Sequence, residues 1–437
     1  MAARPPRGLS MDVRINTVTL PTNSIVQDGT TASACVVANV NVSSCDLFPD
    51  DPPLRSLMRH LILLAMCCYT SAVFAQKTGQ YSSTPPGLSI AAKAYILTDF
   101  QSGQTLASLN IHDRIEPASL TKLMTAHVVF SAIKQKRITP TQNVPVSERA
   151  WQTSGSRMFI EPSRPVTVDE LIRGMIIQSG NDASIALAEV IAGSEDAFSQ
   201  MMNNEAQRMG MKNTHFANAT GLPHPDHFTT VYDLSLLAAA MIRDFPEHYP
   251  IYSTRDYTYN KITQPNRNRL LWLDPHVDGL KSGHTQAAGY CLITSAKRNE
   301  RRLISVVMGT SSDNMRAMES QRLLNHGFQF YDTVRLYRKG QEVTSIPLWK
   351  GSQSMLKAGF GKDLYFTLPR GQNDKMKATM EYQKPLTAPI SAGQRVGSVK
   401  ISIDGKLMSE YPLVALEGVS IGNIFSRTWD SIRLLIN

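Results

Sequence analysis

The chain predicts an α+β fold, helices packed on an antiparallel sheet, and three observations carry that expectation. Paired β-rich runs bracket its central region, 94–98 with 105–109 and 290–296 with 303–309. Between them the strong apolar periods are helical. Beyond residue 340 short β-rich runs alternate with Gly and Pro, the pattern of a small all-β domain. The length of 437 residues, with 42% apolar and 19% charged side chains, suits two or three domains and excludes a wholly disordered or fibrous protein.

The first element is an apolar run at 61–75 that follows Arg55, Arg59 and His60 and ends Val73-Phe74-Ala75. A basic segment, an apolar segment and small residues at the end make a secretory signal. An uncleaved membrane anchor is the alternative reading, and it needs about 20 apolar residues. Because a signal normally opens a chain, residues 1–57 read as a non-native or mis-assigned extension. Met58 is the expected initiator, 58–75 the signal peptide, and 76–86 a polar, turn-rich lead-in. Five cysteines, at 35, 45, 67, 68 and 291, lack zinc-site or disulfide-scaffold spacing. Cleavage would leave Cys291 alone in an oxidising compartment, so no structural disulfide is expected. Bulky Met66 argues against a lipoprotein at Cys67.

Residues 87–340 form the expected main domain. After the first hairpin, Leu120, Leu123, Met124, His127 and Val128 recur at helical spacing over 119–133. Thr167-Val168-Asp169-Glu170 has the capping-box form ahead of Leu171, Ile172, Met175 and Ile176, so a helix starts there. Another runs from Ser194 to a stop at Gly210, and a last one covers about 314–331. Residues 341–417 are the β-rich domain, with strands expected at 363–368, 377–382 and 396–403. In 418–437, Ile421, Ile424, Phe425, Trp429, Ile432, Leu435 and Ile436 share one helical face beside Arg427 and Arg433. That face suits a membrane interface, the alternative being a helix packed on its own domain.

Three short motifs carry chemistry. Ser119-Leu120-Thr121-Lys122 opens a helix, so at i and i+3 the ammonium can reach the hydroxyl. A Ser at a helix start gains the dipole's positive end, and a desolvated Lys can lose its proton and act as a base. Ser179-Gly180-Asn181 follows an apolar helix and brings a hydroxyl and an amide together on a tight turn. Lys281-Ser282-Gly283-His284-Thr285 precedes the strand starting near Tyr290, reading as a loop that enters it, and offers a cation, a hydroxyl and a close backbone approach. Each alone is common: a cap, a turn, a strand entry. His112, His127, His215 and His227 have no nucleophile-elbow partner, so a Ser-His-Asp triad is not expected.

In this order, in an exported chain, the motifs match the Ser-x-x-Lys, Ser-Asp-Asn and Lys-Thr-Gly set of β-lactamases and penicillin-binding proteins, with Gly180 for Asp and Ser282 for Thr. From about Gly87 to Asn437 the chain resembles the low-molecular-mass penicillin-binding proteins that are serine D-alanyl-D-alanine carboxypeptidases, whose usual second motif is Ser-Gly-Asn. Gly-Ser-Glu-Asp-Ala-Phe at 193–198, Leu-Trp at 271–272 and Asp278-Gly279-Leu280 belong to the same likeness. The resemblance implies a transpeptidase/β-lactamase-like catalytic domain, a small all-β domain and a C-terminal amphipathic helix. It implies Ser119 as nucleophile, Lys122 as base, Ser179 as proton shuttle and Asn181 as the amide that orients substrate. Lys281 would supply charge, with Ser282, Thr285 and Arg316 near the substrate's terminal carboxylate. Backbone N–H groups of Ser119 and His284 would form the oxyanion hole, and Gly283 would let the backbone approach the substrate.

The implied reaction removes the terminal D-Ala from peptidoglycan stem pentapeptides through an acyl-enzyme, and β-lactam antibiotics are the implied covalent inhibitors. The implied place is the periplasmic face of the bacterial inner membrane, held peripherally by the C-terminal helix. A formal charge of +9 suits acidic polymers and anionic membrane surfaces alike. No nucleic-acid partner, no metal and no cofactor is expected, since no ligand cluster or phosphate loop stands out. Three rival readings remain: a D,D-endopeptidase of peptide cross-links, a β-lactamase, and a non-catalytic cell-wall binding protein. A β-lactamase lacks support because no Glu-x-x-x-Asn segment lies between Asn181 and Lys281.

Overall fold

The computed structural model describes residues 87–424 and 427–431; the expected signal peptide, the segments around it and part of the C-terminal helix, Phe425 and Ile432 included, lie outside the described residues. Strands β1 (Ala94–Asp99) and β2 (Thr105–Leu109) form the first hairpin. A 3-10 turn, Ala118–Thr121, then runs into α1 (Lys122–Lys134). The helix expected from Ser119 is therefore split, with Ala118 at φ +48 and α-helical bonding from Lys122 onward. Helix α1 is buried on nearly every side, as a central helix must be, with Leu123, Met124 and Phe130 fully enclosed.

Around it pack α2 (Val168–Ile177), α3 (Asn181–Ala192), α4 (Glu195–Met209) and α5 (Val231–Asp244). Helix α2 opens with the expected capping box: Thr167 Oγ1 accepts the Glu170 N–H and the Glu170 carboxylate accepts the Thr167 N–H. Ser194 and Thr230 cap α4 and α5 through the Ala197 and Asp233 N–H groups. Helix α4 ends at Gly210, whose φ of +80 favours glycine.

The chain returns through β3 (Val277–Thr285), β4 (Gly289–Arg298) and β5 (Arg301–Thr310), then enters α6 (Asp313–Phe330). These strands complete a five-stranded sheet ordered β2-β1-β5-β4-β3, antiparallel throughout. The two-residue alternation of strand side chains divides them between two cores. Ile96, Ile304 and Val306 face the helices around α1, while Leu97, Leu303 and Val307 pack with Leu323 and Leu324 of α6. Helices thus cover both faces of the sheet. Lys281-Ser282-Gly283, expected in a loop, lies inside the edge strand β3. An edge strand has one free side, and here polar residues occupy it, so no apolar alternation announces the strand.

Beyond α6, β6 (Tyr331–Tyr337) pairs with β9 (Leu364–Pro369). The remaining strands are β7 (Glu342–Trp349), β8 (Met355–Gly359), β10 (Met376–Tyr382), β11 (Leu386–Thr387), β12 (Arg395–Ile403) and β13 (Lys406–Ala415). They form a six-stranded sheet ordered β10-β12-β13-β8-β7-β11. Leu356, Phe366, Ile401 and Leu413 centre a separate apolar core. Val334 and Leu336 of β6 pack on it, ahead of residue 341, because α6 passes into β6 with no Gly or Pro between them.

Polar side chains join this β domain to the first hairpin. Gln104 imitates a strand neighbour: its Nε2 donates to the Thr367 carbonyl at 3.0 Å and its Oε1 accepts the Thr367 N–H at 2.6 Å. Fully buried Asp99 accepts from Arg301 Nε at 2.9 Å and from the Thr333 hydroxyl at 2.5 Å. Among the described residues no helix is long and apolar enough to cross a membrane. Ile421, Ile424 and Trp429 are exposed, the last two at 75% and 61%.

Candidate active site

Ser119 sits on the 3-10 turn where the chain enters α1, and Lys122, one turn on, points back at it. Lys122 Nζ lies 3.1 Å from Ser119 Oγ, 2.7 Å from Asn181 Oδ1 and 2.6 Å from the Thr220 carbonyl. The side chain is 1% exposed. Burial lowers the Lys122 pKa to about 7, opposed by the negative charges of Asp182 and Glu195. A lysine poised there is a free amine part of the time at neutral pH, with a hydroxyl in reach of its lone pair.

The second motif closes the other side. Ser179 has φ +64, which turns the chain sharply between α2 and α3, and its Oγ accepts from Lys281 Nζ at 2.9 Å. Burial pushes Lys281 well below the usual lysine range, and the nearby charges of Lys122, Arg316 and Arg267 push the same way. The Asn181 amide is engaged at both ends, its Nδ2 donating to the Ser154 carbonyl at 2.7 Å, so it clamps Lys122 to the 154–160 segment. The Asp182 carboxylate, also buried, gathers the N–H groups of Met158, Phe159 and Ile160 in that segment.

Strand β3 forms the opposite wall. A Cβ on Gly283 would lie 3.2 Å from the backbone nitrogens of Ser119 and Leu120, so glycine lets the strand run close beside the turn that carries Ser119. Gly221 is tighter still: a Cβ there would lie 1.8 Å from the Ala118 carbonyl oxygen. The Gly283 carbonyl accepts from Arg316 Nη1 at 3.1 Å, and His284 is exposed beside Tyr290, ring centroids 4.1 Å apart. Ser119, Ser179, Ser282, Gly283, His284 and Arg316 line one cleft of about 450 Å³. Thr285 stands apart from that lining, donating its hydroxyl to Glu116 at 2.9 Å.

The sequence reading missed Ser156, Arg267 and Arg269, which share the cleft. A signal existed in Asn266-Arg267-Asn268-Arg269: both asparagines are buried and bind backbone, which turns both arginines outward. With Arg316 they make one end of the cleft cationic, relieved by Asp313, while buried Lys281 lies behind the lining and donates to Ser179. A larger groove of about 980 Å³ lies at the domain junction. Its Arg298, Arg301, Arg335 and Arg370 each already hold an aspartate, and it contains no paired Ser and Lys. Ser119, with Lys122 behind it, lines the smaller cleft.

Comparisons with known proteins fit this geometry. The family described as D-alanyl-D-alanine carboxypeptidase matches residues 79–312, and the one described as the penicillin-binding protein 5 C-terminal domain matches 331–420. D-alanyl-D-alanine carboxypeptidase DacC of Escherichia coli strain K12 is 42% identical over 370 residues, covering 83% of this chain and 92% of that relative. DacA of Haemophilus influenzae is 41% identical over 363 residues, covering 82% and 92%. Penicillin-binding protein 5 from Haemophilus influenzae superposes with a TM-score of 0.74 at 41% identity, across 78% of this chain and all of that one. Penicillin-binding protein D2 of Listeria monocytogenes, solved with ampicillin bound, superposes with a TM-score of 0.52 at 30% identity, across 56% of this chain and 100% of that one.

Proposed function

The chain belongs to the family of D-alanyl-D-alanine carboxypeptidases, and from that premise we propose that Ser119 is its nucleophile and Lys122 the base. It is a serine peptidase of the penicillin-binding type, acting on peptidoglycan outside the cytoplasm. The observation that carries the assignment is the 3.1 Å contact between Lys122 Nζ and Ser119 Oγ inside the cleft, with the amine held near neutral pKa.

In the proposed reaction the free amine of Lys122 takes the Ser119 proton as Oγ attacks the carbonyl carbon between the two D-Ala residues. The developing oxyanion faces the backbone N–H groups of Ser119 and His284, a kind of contact whose loss costs about 3–4 kcal/mol. When the C–N bond breaks, the departing amine takes the proton back from Lys122, with the Ser179 hydroxyl as relay. Water then hydrolyses the ester on Ser119 and the enzyme is restored. Arg316 and Arg267 at the cationic end receive the terminal carboxylate, with Lys281 supplying charge from behind the lining, and Ser282 donates to it. A β-lactam enters the same way, but its leaving group stays tethered in the cleft and deacylation is slow.

Residues 87–330 are proposed as the catalytic domain and 331 onward as the β domain, ten residues earlier than the sequence suggests, because β6 packs on the β-domain core. The expected anchor helix does not start at 418, because Val419 is buried in the β-domain core and Ile421 bridges to Gly351; the segment from Ile424 onward is proposed as a peripheral anchor on the periplasmic face of the inner membrane. Exposed Ile424 and Trp429 beside exposed Arg427 support that reading, since a helix packed on its own domain would bury them.

The test is release of D-alanine from a pentapeptide ending in D-Ala-D-Ala, with Ser119→Ala alongside. The native protein should release it, and the variant should neither release it nor take up penicillin. Penicillin labelling that persists in the variant overturns the nucleophile. Labelling of Ser119 without D-alanine release moves the endopeptidase reading ahead.

A further inference from the structure

Close to the Lys122 ammonium lies a buried carboxylate that the reaction above does not use. Glu195 opens α4 and is 6% exposed, yet Ser194 already caps that helix, so the helix does not need it inward. Its Oε1 accepts the Ala219 N–H at 3.0 Å and its Oε2 accepts Arg149 Nη2 at 2.5 Å. The Ala219 carbonyl accepts the Thr125 hydroxyl of α1 at 2.7 Å, and the next carbonyl, Thr220, is the one that holds Lys122 at 2.6 Å. Two consecutive residues of chain, Ala219 and Thr220, therefore link Glu195 to the ammonium. Glu195 and Arg149 line a groove of about 470 Å³, distinct from the cleft of Ser119.

The charged and titratable groups around Lys122 come from four places: Asp182 on α3, Glu195 on α4, His227 before α5 and Lys281 on β3. Asp182 is committed to backbone N–H groups, His227 is hydrogen-bonded to Thr121 Oγ1 at 2.9 Å, and Lys281 donates to Ser179. Glu195 differs because its counter-charge, Arg149, is 59% exposed and can be removed without opening the core. Within a poorly solvated site, one unit of negative charge favours the ammonium over the amine.

We propose that Glu195 is a positioning residue for acylation: it holds the Thr220 carbonyl against Lys122 and, balanced by Arg149, sets the pH at which Lys122 becomes competent as a base. The proposal rests on Lys122 being the base. Gln at position 195 keeps the acceptor for Ala219 and removes the charge, whereas loss of Arg149 leaves that charge unbalanced. The two changes therefore act in opposite directions.

The experiment follows acylation by a fluorescent penicillin from pH 5 to 10 in the full chain, in Glu195→Gln and in Arg149→Ala. In Glu195→Gln the acidic limb should move down by about 0.5–1 pH unit, and in Arg149→Ala it should move up by a fraction of a unit. Glu195→Ala, which also removes the acceptor, should lose at least about tenfold in the plateau rate. Unmoved limbs in the first two variants, or shifts of the same sign, overturn this inference while leaving Lys122 in place. A native profile with no limb near pH 7 overturns the base assignment itself, a distinct failure.

Discussion

Replacing Asp182 with Asn should loosen one wall of the cleft more than it harms the core. Asp182 Oδ1 accepts the Met158 N–H at 3.0 Å and the Ala183 N–H at 2.9 Å; Oδ2 accepts Phe159 at 2.8 Å and Ile160 at 3.3 Å. An amide offers one acceptor oxygen where the carboxylate offered two, and turns its own N–H groups toward the other pair. Two N–H groups then lose their partner, at about 1–3 kcal/mol for each buried group left unmade. Phe159 is partly exposed, so water recovers some of that, and a net loss of about 3 kcal/mol is expected. Urea unfolding measures that loss. The same segment carries Ser156, whose carbonyl accepts the Asn181 N–H at 2.7 Å, so penicillin acylation should slow by at least about tenfold in parallel. A variant within about 0.5 kcal/mol of the native protein, acylating at the native rate, would refute the view that this carboxylate braces the cleft.

Three further outcomes are expected. Gly221→Ala should slow acylation and destabilise, because φ +85 and the Ala118 carbonyl both oppose a Cβ; Gly103→Ala, at φ +72 in open space, should cost only about 1 kcal/mol and leave acylation alone. The native acylation rate should fall about tenfold per pH unit below 7 and level off above it, since the free amine of Lys122, held at about 7, is the competent form; a flat profile from pH 5 to 8 would reject this. Truncation after Glu417 should release the protein from sedimenting membranes while penicillin labelling persists, and unchanged sedimentation would reject the anchor.

The contact between Ser119 and Lys122 and the Ser-Gly-Asn turn were legible because they need only short, local spacings that a sequence displays directly. The capping box at Thr167 and the stop at Gly210 were legible for the same reason. Strand β3 was hidden by its place at the sheet edge, where polar residues face the cleft instead of alternating. Glu195 and Asp182 were hidden because their partners, Ala219 and residues 158–160, are remote in the chain and joined through backbone N–H groups, which every residue but proline carries. Arg267 and Arg269 were overlooked although they alternate with Asn266 and Asn268, the pattern that turns both arginines outward.

The joint at Gln104 and Asp99 has a consequence for the molecule as a machine part. The apolar clusters on its two sides do not merge, so little oily cohesion binds the β domain to the hairpin beside it. Hydrogen bonds weaken steeply as their angle opens, so these bonds fix an orientation as well as a distance. The β domain is thereby aimed rather than glued, its attitude to the hairpin set by the bonds of Gln104 and Asp99. Loss of the Gln104 amide would then blur the aim before it unfolds either half.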